Sequence, residues 1–132
     1  LHVDELPFFT PGTEQLIFKV NQTPIAPAIC FESLQNEHAE NAFDLGAAIY
    51  LASVAKSETG MKKAYAHYPK IAKKHAFPVA CVNNIGFCDN FYGTGQSAIW
   101  NEKGDLIAAL SKDQEGLLFY DFENHSFRII EA

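Results

Sequence analysis

"PIAPAICFESLQNEHAENAFDLGAAIYLASVA", residues 24–55, decides the architecture. Its opening, Pro24 to Cys30, is a short apolar run that reads as a buried strand. Phe31-Glu32-Ser33 and the polar "QNEHAEN" then read as a turn into a helix. From Leu34 to Leu45 the positions read as apolar, Leu34, His38, Ala39, Ala42, Phe43 and Leu45, recur at helical spacing, and Gly46 stands where a helix C-cap belongs. "AAIYLASVA" follows without polar alternation, the pattern of a strand buried on both faces. Strand, helix, strand implies a parallel crossover unit. Cys30 therefore falls at the carboxyl end of the first strand, where open α/β sheets form the crevice that binds ligands.

Working outward, "QLIFKV" (15–20) and "PIAPAIC" (24–30) are joined by "NQT", a polar turn that predicts an antiparallel hairpin. Downstream, Ser57 is placed to cap a helix that includes "MKKAYAHYPKIAKKHA". Pro69 is predicted to kink or divide that helix, because it removes a backbone donor and crowds the preceding turn. "PVACVNN" (78–84) resumes the buried-strand pattern, and "IGFCDNFYGTG" reads as a loop rich in glycine and aromatics. "QSAIWN", "DLIAAL" and "GLLFYDF" predict short strands, a meander in the C-terminal third. No repeat, low-complexity tract or linker marks an internal boundary, so residues 1–132 are read as one domain or part of one.

With 132 residues and 48% hydrophobic content the chain can bury a core. The opening "LHVDELPFF" has neither a basic flank nor a signal-length apolar stretch, and reads as a cut inside something longer. No apolar run approaches the roughly 18–20 residues of a membrane-spanning helix, so no membrane partner is expected. A formal charge of −6, with lysines diluted by aromatics and alanines, argues against nucleic acid, which needs a clustered positive field. Three cysteines, at 30, 81 and 88, make a disulfide framework a poor reading and favour a reducing, cytoplasmic setting.

Buried filler, metal ligand and nucleophile all compete for Cys30. Filler is the default for free cysteine and is favoured for Cys81 within "VACVN". Cys88 lies beside Asp89 with no C-x-x-C or H-x-x-x-H spacing, so neither a metal nor another cofactor is expected. None of the histidines at 2, 38, 67, 75 and 125 is marked by sequence as a thiol partner; His2 lies near an acidic pair, and His67 and His75 fall on a helix face. Gly86, Gly93 and Gly95 match no phosphate-loop motif and read as turns. Phe87, Phe91 and Tyr92 read as a pocket wall or as loop packing. Lys56, just beyond a strand end, is an active-site cation or, on the stronger reading, a solvated surface lysine. Topology puts Ser53, Val54 and Ala55 after one strand and Asn83-Asn84 after the next, at the rim of the same crevice, as expected substrate contacts.

Taken in order, "LHVDELPFFTPG", "APAICFESL", "LGAAIYLASVAK", "ACVNNIGF" and "GTGQSAIWNEKGDLI" resemble the carbon-nitrogen hydrolase, or nitrilase, superfamily across nearly the whole chain. The resemblance implies an α/β fold, a four-layer α-β-β-α sandwich that pairs through its outer layers into a homo-oligomer, here as its C-terminal portion. It implies Cys30 as nucleophile and the Phe31 backbone N–H as an oxyanion donor. The superfamily's second glutamate matches Glu5 in "VDELPFF", with Glu14 a weaker match. Its lysine precedes the segment that begins at Leu1 and its glutamate base lies earlier still; Lys19 and Lys56 do not occupy that lysine's place. The implied substrates are small amides, nitriles or carbamoyl amines. Glu32 reads as a buried acid holding the strand-end turn or, second, as a proton carrier. The alternatives are a non-catalytic nitrilase-like scaffold, an N-acyltransferase of the same superfamily, and a Cys/His hydrolase on another α/β fold using His67.

Overall fold

The computed structural model describes residues 1, 3–88 and 90–132. The readings placed on His2 and Asp89 lie outside the described residues. The stretch 24–55 folds as its pattern predicts: strand β2 (Thr23–Ile29), a single 3-10 turn (Glu32–Leu34), helix α1 (Asn36–Asp44) and strand β3 (Ile49–Val54). Gly46, with φ +79°, follows the last turn of α1 and lets the chain turn back into the sheet. Helix α2 (Glu58–His75) and strand β4 (Val79–Asn83) complete a second crossover. β2, β3 and β4 are parallel neighbours, each pair joined by a helical crossover.

β1 (Phe18–Val20) pairs antiparallel with β2 through a turn in which Asn21 and Gln22 both take positive φ. This is the predicted hairpin, with pairing confined to the last three residues of "QLIFKV". β7 (Ala98–Trp100) and β8 (Leu106–Ala109) extend the sheet antiparallel, giving the order β1-β2-β3-β4-β7-β8. Both helices lie on one face. Ala26, Ala28, Tyr50, Ala52, Val79 and Cys81 of that face pack with Ala39, Ala42, Met61, Ala64, Tyr68, Ile71 and Ala72 of the helices in one core.

Four expectations need correction. β3 alternates between buried and more exposed residues, so it is covered on one face within the described residues. The other face keeps apolar groups in the open, with Ile29 60% and Val82 57% exposed. Nor does Pro69 divide α2, which is continuous from Glu58 to His75. An interior proline costs about 3 kcal/mol, but the buried Met61, Ala64, Tyr68, Ile71 and Ala72 on both sides of it anchor the helix. The turn before β8 closes on that site; a Cβ at Gly104 would stand 2.5 Å from the Pro69 carbonyl oxygen, and its φ is +83°.

The predicted loop at 85–95 is instead a hairpin, β5 (Ile85–Cys88) with β6 (Phe91–Thr94), in which Gly86 faces Gly93. The predicted meander ends at β8. β9 (Gly116–Tyr120) leaves the main sheet and pairs with β10 (Phe127–Glu131), a strand the sequence reading omitted, in a two-stranded sheet of its own. Among the described residues no helix is long and apolar enough to cross a membrane.

Candidate active site

Cys30 is the first residue after β2 and has φ +45°, a left-handed conformation that non-glycine residues adopt at a cost of order 1–3 kcal/mol. Four groups hold it there. Its N–H donates to the Ser53 carbonyl of the neighbouring strand at 2.8 Å. Its carbonyl accepts the Ser33 hydroxyl at 2.6 Å and, more loosely, the Lys56 ammonium at 3.5 Å. The thiol lies 4.0 Å from the Ala55 carbonyl. Ser33 is fully buried and its Oγ meets the Tyr68 hydroxyl of α2 at 2.8 Å, so the strand end is tied directly into the helical layer.

The cleft at this point, about 280 Å³, brings together Glu5, Cys30, Phe31, Glu32 and Lys56 against Ile29 and Leu34. Glu5 arrives from the N-terminal 3-10 turn (Val3–Glu5), far from Cys30 in sequence. Glu14, the weaker match, lines an adjoining cleft with Gln15 and His38, and Lys19 sits on β1 outside the Cys30 cleft. Glu32 is half-exposed; its Oε1 accepts the Ile29 N–H at 2.7 Å and stands 3.7 Å from His38 Nε2. It holds the strand-end turn, as its first reading has it, without being buried.

The two strand-end stretches are spent differently. Ser53 gives its carbonyl to Cys30, Val54 turns into the core, and Ala55 offers its carbonyl to the thiol. The Asn83 amide is committed to backbone: Oδ1 accepts the Lys56 N–H at 2.8 Å, and Nδ2 donates to the carbonyls of Lys56 and Gly95 at 3.0 and 2.8 Å. Asn84 follows β4 with a buried Oδ1 that has no hydrogen-bond partner among the described residues. None of these five residues is part of the cleft lining.

Lys56 departs from its stronger reading. It is 8% exposed, not solvated, and faces the thiol's cleft. Its place, though not its burial, is signalled by topology: it follows β3 at the same end of the sheet as Cys30 follows β2. Ser33 and Tyr68 carry no such signal, since nothing local distinguishes a buried hydroxyl from a solvated one.

The other thiols are of a different kind. Cys81 is buried inside β4, and burial pushes its thiol up to about 12, which keeps it protonated and inert. Cys88 is half-buried in β5. Neither belongs to a cluster that could hold a metal, of which there is none among the described residues. No histidine lines the Cys30 cleft among the described residues; His67 and His75 sit on α2.

The carbon-nitrogen hydrolase family profile matches residues 2–128. No curated protein matches the chain significantly. Among solved structures, a glutamine-dependent NAD+ synthetase from Acinetobacter baumannii, bound to ADP, superposes with a TM-score of 0.80 at 19% identity, over 98% of this chain and 25% of that one. A Glu-to-Gln mutant of the amidase from Nesterenkonia sp. AN1, with the acetamide moiety of fluoroacetamide added covalently at its active-site cysteine, gives a TM-score of 0.71 at 16% identity, over 100% of this chain and 46% of that one. A carbon-nitrogen hydrolase from Helicobacter pylori G27 gives 0.70 at 19% identity, over 82% and 43%. The chain thus spans a quarter to less than half of each of these structures, and at such identities the likeness is one of fold. With the family profile running over almost its whole length, this chain belongs to the carbon-nitrogen hydrolase family.

Proposed function

We propose that the protein carrying this chain hydrolyses non-peptide carbon-nitrogen bonds in small amides, nitriles or carbamoyl amines, with Cys30 as nucleophile. The observation that supports this most is the left-handed Cys30 at the end of β2, held by the carbonyl of Ser53 and the hydroxyl of Ser33 while its side chain lines a cleft. Buried filler has no use for such strain, and Cys81, which is filler, sits in regular strand.

A free thiol has a pKa of about 8.5, so only a few per cent is thiolate at neutral pH. By family resemblance, the glutamate base and the lysine that raise this share come from a segment ahead of Leu1 in a longer protein. The thiolate attacks the amide carbon, forming a C–S bond and an oxyanion. The Phe31 N–H and that lysine are the proposed donors to it. Collapse breaks the C–N bond, and nitrogen leaves as ammonia or an amine with the proton taken from the thiol. Water then attacks the thioester, releasing the carboxylic acid and restoring the thiol. Glu5, in the cleft beside Cys30, is the proposed second glutamate. The covalent acetamide on the cysteine of the Nesterenkonia amidase is thiol chemistry of this kind.

The same reading assigns the open apolar face of the sheet to the second sheet of the four-layer sandwich, carried by the longer protein. Without that sheet and its two catalytic groups the 132 residues alone are nearly inactive. One missing oxyanion donor by itself removes about 3–4 kcal/mol, on the order of a hundred- to thousandfold in rate. Ammonia release by the full-length protein from a panel of short amides, nitriles and carbamoyl amines tests the proposal. Cys30→Ala lowers release at least about a thousandfold if Cys30 is the nucleophile. Release that survives in Cys30→Ala removes the cysteine mechanism. Release from neither protein favours a binding protein or an acyltransferase.

A further inference from the structure

Among the described residues Lys56 is the cationic side chain that lines the cleft, and this thiol chemistry does not use it. A charge taken out of water is normally paired, because its desolvation costs several kcal/mol. Among the described residues no carboxylate pairs with the Lys56 ammonium. Among the described residues its one acceptor is the Cys30 carbonyl, at 3.5 Å, which is neutral and already better served by Ser33. An ammonium has three donors.

Glu5, which shares the cleft, has a partner of its own, and two further carboxylates are engaged elsewhere. Glu58, in the first turn of α2, pairs with Lys62 at 3.4 Å and Lys112 at 3.3 Å on the outside. Glu32 accepts the Ile29 N–H and faces His38. The positive end of the α2 dipole adds to the field, since Lys56 immediately precedes the Ser57 cap.

The position of Lys56 is also built. Its N–H and its carbonyl are both clamped by the buried Asn83 amide. Its stem runs over Gly60 of α2, where an added Cβ would come within 3.0 Å of the Lys56 Cβ. The lysine is therefore fixed in direction along its first carbons; it lines the cleft that holds Cys30, with its ammonium 3.5 Å from the Cys30 carbonyl.

From this geometry we infer that Lys56 is a specificity-determining residue that binds a carboxylate on the acyl side of the substrate. The preferred substrates are then short amides with an anionic far end, whose carboxylate meets Lys56 while the amide carbon lies at Cys30. This rests on the hydrolase reading above, and is tested so that the two can fail separately.

The measurement is calorimetric binding of succinamate and of butyramide, matched in chain length, to the full-length Cys30→Ala protein, with Lys56 intact or replaced. No turnover is involved. Succinamate binds more tightly than butyramide when Lys56 is present, and Lys56→Met reduces that preference roughly ten- to a hundredfold, the range for a charged hydrogen bond. Lys56→Arg keeps a preference for the anion, which separates lost charge from lost folding. Equal binding of the two ligands with Lys56 intact overturns the inference, as does a preference that survives Lys56→Met. If Lys56 serves the Cys30 thiolate instead, Lys56→Met in the Cys30-containing protein moves the pH profile of iodoacetamide alkylation upward and slows both amides alike, leaving their ratio unchanged; that result also overturns it. Failure of the hydrolase reading shows elsewhere, as ammonia release that does not depend on Cys30.

Discussion

The middle of the sheet and its carboxyl end are made from the same three parallel strands by opposite means. In the middle, Ala26, Ala28, Tyr50, Ala52, Val79 and Cys81 are at most 2% exposed and the backbone is regular. Alanine at the crossing points lets the helices close on the sheet, and Trp100, Tyr65 and Tyr68 fill the space beside them. A few residues on, Cys30 is left-handed, Lys56 and Asn83 are buried polar groups, and side-chain hydrogen bonds replace apolar packing. Stability is concentrated in the middle, whereas the end holds a strained residue that only a rigid support could keep. Tyr68 touches both regions, edge-on to Trp100 and hydrogen-bonded to Ser33.

The contrast breaks most visibly at Trp100, which is 2% exposed and sits edge-on to Tyr65 with ring centroids 5.0 Å apart. Trp100→Ala is expected to cost about 3–5 kcal/mol in urea unfolding, the usual range for removing a large buried aromatic. A loss of less than about 1 kcal/mol would mean that the middle of the sheet is not where this fold is secured.

Ser33→Ala sharpens the contrast, because it acts on the end alone. It removes the 2.6 Å hydrogen bond to the Cys30 carbonyl and takes from the Tyr68 hydroxyl one of its two side-chain partners, the other being the Cys81 thiol. The expected stability loss is about 1–2 kcal/mol. Ammonia release by the full-length protein should fall by about tenfold or more, as small displacements of a reacting atom do. A stability loss with unchanged kcat would show that Ser53 and the backbone hold Cys30 without Ser33.

These two regions were unequally legible in the sequence. The crossover from β2 to β3 could be read because helical spacing and the glycine after α1 are local signals. Cys30 at a strand end followed from that alone. The burial of Lys56 could not be read locally, since it depends on Asn83, distant along the chain, folding back to clamp its backbone. One-sided burial of β3 was hidden for another reason: small and branched apolar residues occupy both faces, so an alternating burial pattern carries no polar alternation. The β5–β6 hairpin was masked by Gly86 and Gly93, which pair with each other but contribute no side-chain pattern. β10 is largely exposed along its length, which leaves no periodic core face to detect.

The smallest expected effect concerns the helix side of the middle, where three histidines are held neutral. Burial is the leading cause that lowers each of them below the ordinary value, against Glu32 at His38, with Lys70 at His67, and at His75 with Lys74 and against Glu40 and Asp44. His38 Nδ1 meets the Tyr50 hydroxyl at 2.9 Å, and His75 stacks on Phe77 at 5.4 Å. A histidine lowered on folding binds its proton less readily in the folded state than in the unfolded one. Its contribution is therefore intact above the unfolded value of about 6.5 and declines as pH falls below it, until the folded form also takes up the proton. The urea midpoint should drop between about pH 7.5 and pH 5.5, ahead of the carboxylates, whose ordinary values lie near 4. His75→Phe, which keeps a ring against Phe43 and Phe77, should flatten part of that drop. An unchanged midpoint in the wild-type protein over this interval would show that the three rings are reached by water, and that the helix-covered side is looser than its packing implies.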